Sequence, residues 1–494
     1  MNVQRKSGIL LHPTSLPGYG GIGTFGSESR RFVDFLQVAG QTLWQILPLG
    51  PPGYGNSPYS CYSAFAGNPL LIDLATVVTD GDLREDEIPL DVPEERINFA
   101  GVAAYKFSLL RKAADRFFAG TDPRRKHDFW HFCDTAFWLH DFALFMALKD
   151  LFKGKCWNRW PKELVQRNRE GCEEYSHRLG HEVGFQKYMQ WQFYRQWKAL
   201  KQYANEREIT IIGDTPIFVA YDSVDVWCNQ HLFKLDSHCL PESVAGVPPD
   251  YFSKTGQRWG NPVYDWEKLA ADGFGWWIAR LKNDLSLYDV VRLDHFRGFE
   301  AYWEIPAKEK TAIKGQWVKG PGEALFSSFQ AAMGKLPLIA EDLGLITPEV
   351  LSLRDRFGMP GMKVLQFAFD GGPRNGYLPH NYVPNCVVYT GTHDNDTTQG
   401  WFDTLNGEEQ RRVCRYLRCT PEEVVWEMIR LALSSVAAIA IIPLQDILGV
   451  PGAARMNTPG TVGENWRWRF ASQDLTEDSA IRLRELTECY ARCP

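Results

Sequence analysis

The sequence lacks a Cys-x-x-Cys motif, a long hydrophobic run, a basic excess and any tandem repeat. Each absence removes a class of protein. The eleven cysteines are an odd number, and the closest pairs, Cys414/Cys419 and Cys489/Cys493, do not have zinc-ribbon spacing. Most are therefore expected to be reduced, buried thiols in a reducing compartment. The longest apolar region, Leu431–Leu444, contains Ser434 and Ser435 and falls short of a membrane span. Gly8-Ile9-Leu10-Leu11 is too short for a signal-peptide core, so a cytoplasmic location is expected. A net charge of −6 and a pI near 6.0 speak against nucleic acid or an anionic membrane as partner. No low-complexity tract or linker divides the chain.

Hydrophobic residues, at 44%, suffice for a sizeable core, and 18 Trp, 19 Tyr and 29 Phe suit either that core or a cleft for the apolar faces of sugars. Eight short apolar runs recur: Gly8–His12, Leu43–Leu49, Ile209–Asp214, Val290–Asp294, Leu336–Glu341, Met362–Phe369, Cys386–Thr390 and Ala437–Leu444. Helical patterns stand between several of them. Glu28–Ala39 is amphipathic, and Pro421–Ser435 opens on Pro and two Glu. Strand–helix alternation repeated eight times predicts an α/β fold, a parallel (β/α)₈ TIM barrel in one catalytic domain. Uneven spacing places the insertions: a mainly helical one at about 70–205, with helices over Asp128–Lys153 and Phe185–Glu206, and a loop-rich one at about 220–285. In the latter, Ser243–Trp266 is rich in Pro and Gly and reads as a long ordered loop or lid.

The stretch Asp289–Phe299 starts as a strand and then carries charge. Val290, Arg292 and Asp294 share one strand face, where an Arg and an Asp are costly unless paired. A guanidinium beside a carboxylate favours its ionised form, which a nucleophile needs. Strand carboxyl ends elsewhere supply Asp214, Glu341, Asp342, His393 and Asp394, with Asp342 pointing away from Glu341. Such a set suits a divalent-metal site or glycosidic cleavage by two carboxyls about 5–5.5 Å apart. Arg292 beside the central Asp opposes a metal and suits an anionic nucleophile. Gly18-Tyr19-Gly20-Gly21-Ile22-Gly23 has the spelling of a dinucleotide loop but not its strand-to-helix context. His12 reads as a satisfied structural histidine, and Asp222 and Asp225 as residues of a solvated turn.

Together, His12-Pro13-Thr14-Ser15-Leu16-Pro17-Gly18, Asn56-Ser57-Pro58-Tyr59-Ser60, Gly213–Val219, Arg292–Phe299, Glu341-Asp342-Leu343-Gly344, Gly391–Thr397 and Asn457-Thr458-Pro459-Gly460-Thr461 carry a resemblance. The chain resembles glycoside hydrolase family 77, the 4-α-glucanotransferases (amylomaltases, disproportionating enzymes), over essentially its whole length. The resemblance implies Asp294 as nucleophile, Glu341 as general acid/base and Asp394 as transition-state stabiliser. It implies sugar-holding roles for Asp214, Arg292, His393, Asp370 and Asn465. It implies substrate-binding roles for Ser57 and for the stacking residue Tyr59, and Tyr54 is similar to a residue contacting a second glucan site. Asp250, Gln257 and Trp259 belong to a mobile loop over the acceptor groove. The implied partners are α-1,4-glucans, with no metal and no redox or group-carrying cofactor; the oligomeric state, monomer or weak homodimer, stays open. Tyr19-Gly20-Gly21-Ile22-Gly23 departs from the Pro-Tyr-Gly-Ile-Gly of many relatives, at a turn. The extra amino-terminal domain of some members is expected to be absent. An α-amylase-type retaining hydrolase, a glycan-binding protein with an inactive barrel and a metal-dependent phosphosugar enzyme remain alternatives.

Overall fold

The computed structural model describes residues 5–18, 20–88, 96–249 and 253–493. Eight parallel strands carry the fold: β1 (Lys6–Leu10), β2 (Leu43–Gln45), β3 (Thr210–Pro216), β4 (Val290–Asp294), β5 (Leu338–Ala340), β6 (Gly361–Val364), β7 (Cys386–Tyr389) and β8 (Ile439–Pro443). Each lies within or against one of the eight apolar runs. Their order in the sheet is β6-β7-β8-β1-β2-β3-β4-β5, so every neighbour in space is a neighbour in this series. β8 pairs with β1 from Lys6↔Ile439 to Leu10↔Pro443. The ring is completed between β5 and β6, where Ala340 N–H donates to Pro360 O at 3.0 Å. This is a (β/α)₈ barrel.

Register explains the first charged contact. Along β3 and β4, Asp214 lies opposite Arg292 and Pro216 opposite Asp294. Val291 and Leu293, on the alternate face, are fully buried. Period two thus sends the apolar residues into the core and the Arg and Asp to the other side.

Between β2 and β3 the chain forms helices Phe99–Ala119, Pro123–Thr135, Leu139–Leu151, Arg169–Arg178 and Gly180–Asn205. The expected helix over Asp128–Lys153 is two helices, because Ala136 leaves the helical backbone at φ −84°, ψ 83°. Gly180–Asn205 braces the loop after β2. Its buried Gln190 accepts Gly67 N–H at 2.7 Å and donates to Gly67 O at 2.8 Å, and Gln196 accepts Asp73 N–H at 2.7 Å. These bonds satisfy backbone that would otherwise be buried and unpaired.

Ser243–Trp266 differs from the loop expected. Ser243–Val247 and Gln257–Pro262 pair as an antiparallel hairpin and extend through Ala301–Pro306 to Gln316–Lys319 in a four-stranded sheet. The reason is local. A Cβ at Gly246 would lie 2.1 Å from Gln257 O, so only glycine lets the strands approach there. Val244, Ile305 and Ala312 then form a small core of their own. Residues 250–252, Asp250 among them, lie outside the described residues. All eleven cysteines are free, but only Cys386 is buried, which corrects the expectation of mostly buried thiols.

Candidate active site

Asp214, Arg292 and Asp294 form a chain of charge across β3 and β4. Asp214 Oδ2 accepts Arg292 Nη1 at 2.6 Å and the Tyr59 hydroxyl at 2.6 Å. Arg292 Nη2 meets Asp294 Oδ1 at 2.9 Å, and its Nε lies 3.3 Å from Met362 Sδ. Burial works against the Arg292 charge, but Asp214 and Asp294 outweigh it and hold the guanidinium well above its ordinary pKa. Burial also pushes Asp214 upward, opposed by Arg292. Tyr59 is raised by burial and by Asp214, so its hydroxyl keeps its proton.

Glu341 stands immediately beyond β5. Its Oε2 accepts the His295 N–H at 2.7 Å, and its Oε1 accepts the Leu343 N–H at 3.0 Å. Burial, then the negative charge of Asp294, push its carboxyl up to about 8; Arg292 and the two N–H groups pull the other way. His295 holds a left-handed backbone at φ 53°, which aims its N–H at the acid. Its ring packs edge-to-face on Trp259 with centroids 4.8 Å apart. A Cβ on Gly298 would lie 2.9 Å from His295 Cδ2, so the ring occupies space only glycine leaves.

The loop after β7 supplies His393 and Asp394. His393 stacks on Tyr59 at 5.0 Å and 16°, with Nδ1 3.5 Å from the Tyr59 hydroxyl and Nε2 3.4 Å from Asp394 Oδ1. Asn457 Nδ2 donates to Asp394 Oδ1 at 2.6 Å, Arg455 Nη2 donates to Asp394 O at 2.6 Å, and Asn457 N–H donates to His393 O at 3.1 Å. Asn457 and Arg455 therefore set where Asp394 points. In the sequence Asn457 stands out only as part of a motif, since contact with Asp394 across 63 positions leaves no local signal.

The remaining residues spread outward. Ser57 Oγ accepts the Tyr59 N–H at 3.2 Å and shapes its turn. Tyr54, 84% exposed, stands apart from the acids. Asp370 is exposed and accepts Asn375 Nδ2 at 2.9 Å. Asn465 spends its amide within its own loop, accepting Thr458 N–H at 3.0 Å and donating to Thr461 O at 3.0 Å. Gln257 and Trp259 are exposed on the hairpin and bonded to each other, Trp259 Nε1 to Gln257 Oε1 at 3.1 Å. Asp342 turns away as expected, accepting Arg354 at 2.5 Å and Met362 N–H at 2.6 Å.

Two readings fail. Asp225 is buried, accepts Ala64 N–H at 2.8 Å and is pushed by burial up to about 6, so it is not in a solvated turn. His12 is buried, yet its Nδ1 has no hydrogen-bond partner among the described residues. Burial and His393 push its pKa down to about 3, so its imidazole is neutral.

Fold and strand-end acids together define a (β/α)₈-barrel enzyme of the carboxylate-using, sugar-processing class. The family model described as 4-alpha-glucanotransferase, glycoside hydrolase family 77, matches residues 11–475. The 4-alpha-glucanotransferase of Thermus thermophilus is 50% identical over 501 residues, covering 100% of both chains. That of Synechocystis sp. is 50% identical over 496 residues, covering 99% of this chain and 98% of the relative. The solved amylomaltase from Streptococcus agalactiae in complex with acarbose superposes with a TM-score of 0.96 at 41% identity, covering 99% of this chain and 100% of that one. The chain belongs to the 4-α-glucanotransferase family and is an enzyme of the glycosyltransferase type.

Proposed function

We propose that the enzyme moves a segment of a 1,4-α-glucan onto the 4-hydroxyl of an acceptor glucan or glucose by double displacement, with Asp294 as nucleophile, Glu341 as acid/base and Asp394 as transition-state stabiliser. One contrast carries the assignment. Asp294 is ion-paired to Arg292, whereas Glu341 is pushed up to about 8 and is protonated at neutral pH. A carboxyl paired to a cation beside one that keeps its proton divides nucleophile from acid.

In the first half-reaction Glu341 gives its proton to the leaving glycosidic oxygen as an Asp294 oxygen bonds to the anomeric carbon. Esterification removes the Asp294 charge, one of the two causes that raise Glu341, so its affinity for a proton falls. The His295 and Leu343 N–H groups then stabilise the carboxylate left behind. Arg292 keeps Asp214 as its counter-ion throughout, so no buried cation is stranded. In the second half-reaction Glu341 takes the proton of the incoming 4-hydroxyl, whose oxygen bonds to the anomeric carbon as the bond to Asp294 breaks, and configuration is retained. Asp394, oriented by Asn457, faces the positive charge that develops on the sugar.

The acarbose complex of the Streptococcus agalactiae relative favours a site for glucan-like chains. Free cysteines, and the absence among the described residues of a helix long and apolar enough to cross a membrane, agree with a cytoplasmic location. Incubation with maltotriose tests the reaction. Transfer gives glucose and a ladder of longer chains at a constant number of reducing ends, while a rising number makes the enzyme a hydrolase. Wild-type activity in Asp294→Asn overturns the assigned nucleophile.

A further inference from the structure

Two cysteine pairs stand close in sequence, and the fold treats them differently. Helix Gly407–Leu417 ends in a left-handed residue, Arg418 at φ 59°, and the Cys419 N–H returns to Cys414 O at 3.2 Å. This is the Schellman arrangement, which brings the side chain two positions past the helix end onto the side chain one turn inside it. Cysteine occupies both of those positions. Both thiols are partly exposed, and the backbone bond from Cys419 back to Cys414 closes the turn between them, the kind of approach that the roughly 4.4–6.8 Å Cα separation of a disulfide requires.

The other pair serves as an internal control. Helix Glu477–Cys489 ends in the same way, with Ala491 at φ 52° and the Arg492 N–H returning to Thr487 O at 2.9 Å. There the two facing positions hold Thr487 and Arg492. Cys489 and Cys493 fall beside them, and Cys493 Sγ lies against Gly40 O at 3.8 Å.

We infer that Cys414 and Cys419 are a redox-modification site, a dithiol that closes to an intramolecular disulfide without rearranging the backbone around it. Closure breaks two S–H bonds and forms one S–S bond. The two electrons and two protons released reduce a peroxide to two waters. Burial, the Cys414 sulfur and the carboxylates of Glu427 and Glu423 push the Cys419 thiol up to about 11. A Cys419 thiolate is accordingly scarce at neutral pH and becomes more abundant as the medium turns alkaline. The last turns of the same helix also reach the barrel mouth: Arg412 donates to Phe369 O at 3.1 Å and Tyr416 packs edge-to-face on Phe369 at 5.6 Å, one residue before Asp370.

The test is peptide mapping of the full chain after hydrogen peroxide, with remaining thiols alkylated. The expected product is one peptide linking positions 414 and 419, lighter by two hydrogens and restored by dithiothreitol. Cys414→Ser and Cys419→Ser each abolish it, and Cys489→Ser leaves it intact. Recovery of both residues alkylated as free thiols, or of Cys414 joined to a different cysteine, overturns the inference. Transfer from maltotriose is expected to survive closure. Its loss in the mapped disulfide form would overturn the claim that nothing rearranges, and the wild-type mapping stands whether or not a serine variant folds.

Discussion

At the scale of single residues, Glu341 links chemistry to pH. As the proposed acid it must hold a proton to act first, and that proton is lost through about pH 8. The rate of transfer should therefore fall about tenfold per unit above that pH, as a pH–rate profile would read. Stability follows the same sign. A carboxyl raised from 4.5 in the unfolded chain to about 8 when folded favours folding below pH 4.5, and that contribution fades as pH rises to about 8. Glu341→Gln should thus raise the melting temperature at pH 8 but not at pH 4, while nearly abolishing transfer from maltotriose. A donor whose leaving group needs no proton should keep part of its rate. Asn457→Ala should free Asp394 and cost about 1–2 kcal/mol in the transition state, roughly tenfold in kcat, with little change in KM. Arg292 and Asp294 were legible because charge inside a strand pattern is anomalous. Asn457 and the left-handed His295 were not, because their roles depend on loops distant in sequence.

At the scale of elements, the hairpin Ser243–Pro262 stands partly apart from the barrel. Its Val244 packs with Ile305 and Ala312 in a small separate core, while Ala245 joins the main one, and Trp259 reaches the site through the His295 ring. Gly246→Ala should push the two strands apart at Gln257 O. The expected result is a higher KM for acceptor glucans and faster hydrogen exchange in the hairpin, with the melting transition of the barrel nearly unchanged. Composition misled here. Pro248, Pro249, Gly256 and Gly260 made the segment look irregular, yet Gly256 and Gly260 take positive φ where the chain turns and pairs. The eight barrel strands were easier to recognise, because strands covered on both sides read as short apolar runs.

At the scale of the whole molecule, the barrel is fastened at one seam by arginine. Arg492 is fully buried and donates to Leu433 O, Ser435 O, Ala437 O and Lys6 O at 2.7–3.1 Å. Arg5 adds bonds to Leu433 O and Ser435 O at 2.8 and 2.6 Å. Arg492→Met should leave those carbonyls short of donors and lower unfolding stability by about 3 kcal/mol or more, read as a lower urea midpoint, with the pH–rate profile unmoved. Nothing near Arg492 in the sequence announces this role, since its partners come from other elements.

The seam has a consequence for biosynthesis. Arg492 and Lys6 are 486 positions apart, and β1 finds one of its two neighbours only in β8. A growing polypeptide must carry its first strand with one edge open while the ribosome makes nearly everything else. That edge invites mispairing with other nascent chains, so yield of active enzyme should depend more on translation speed and holding chaperones than its finished stability would suggest.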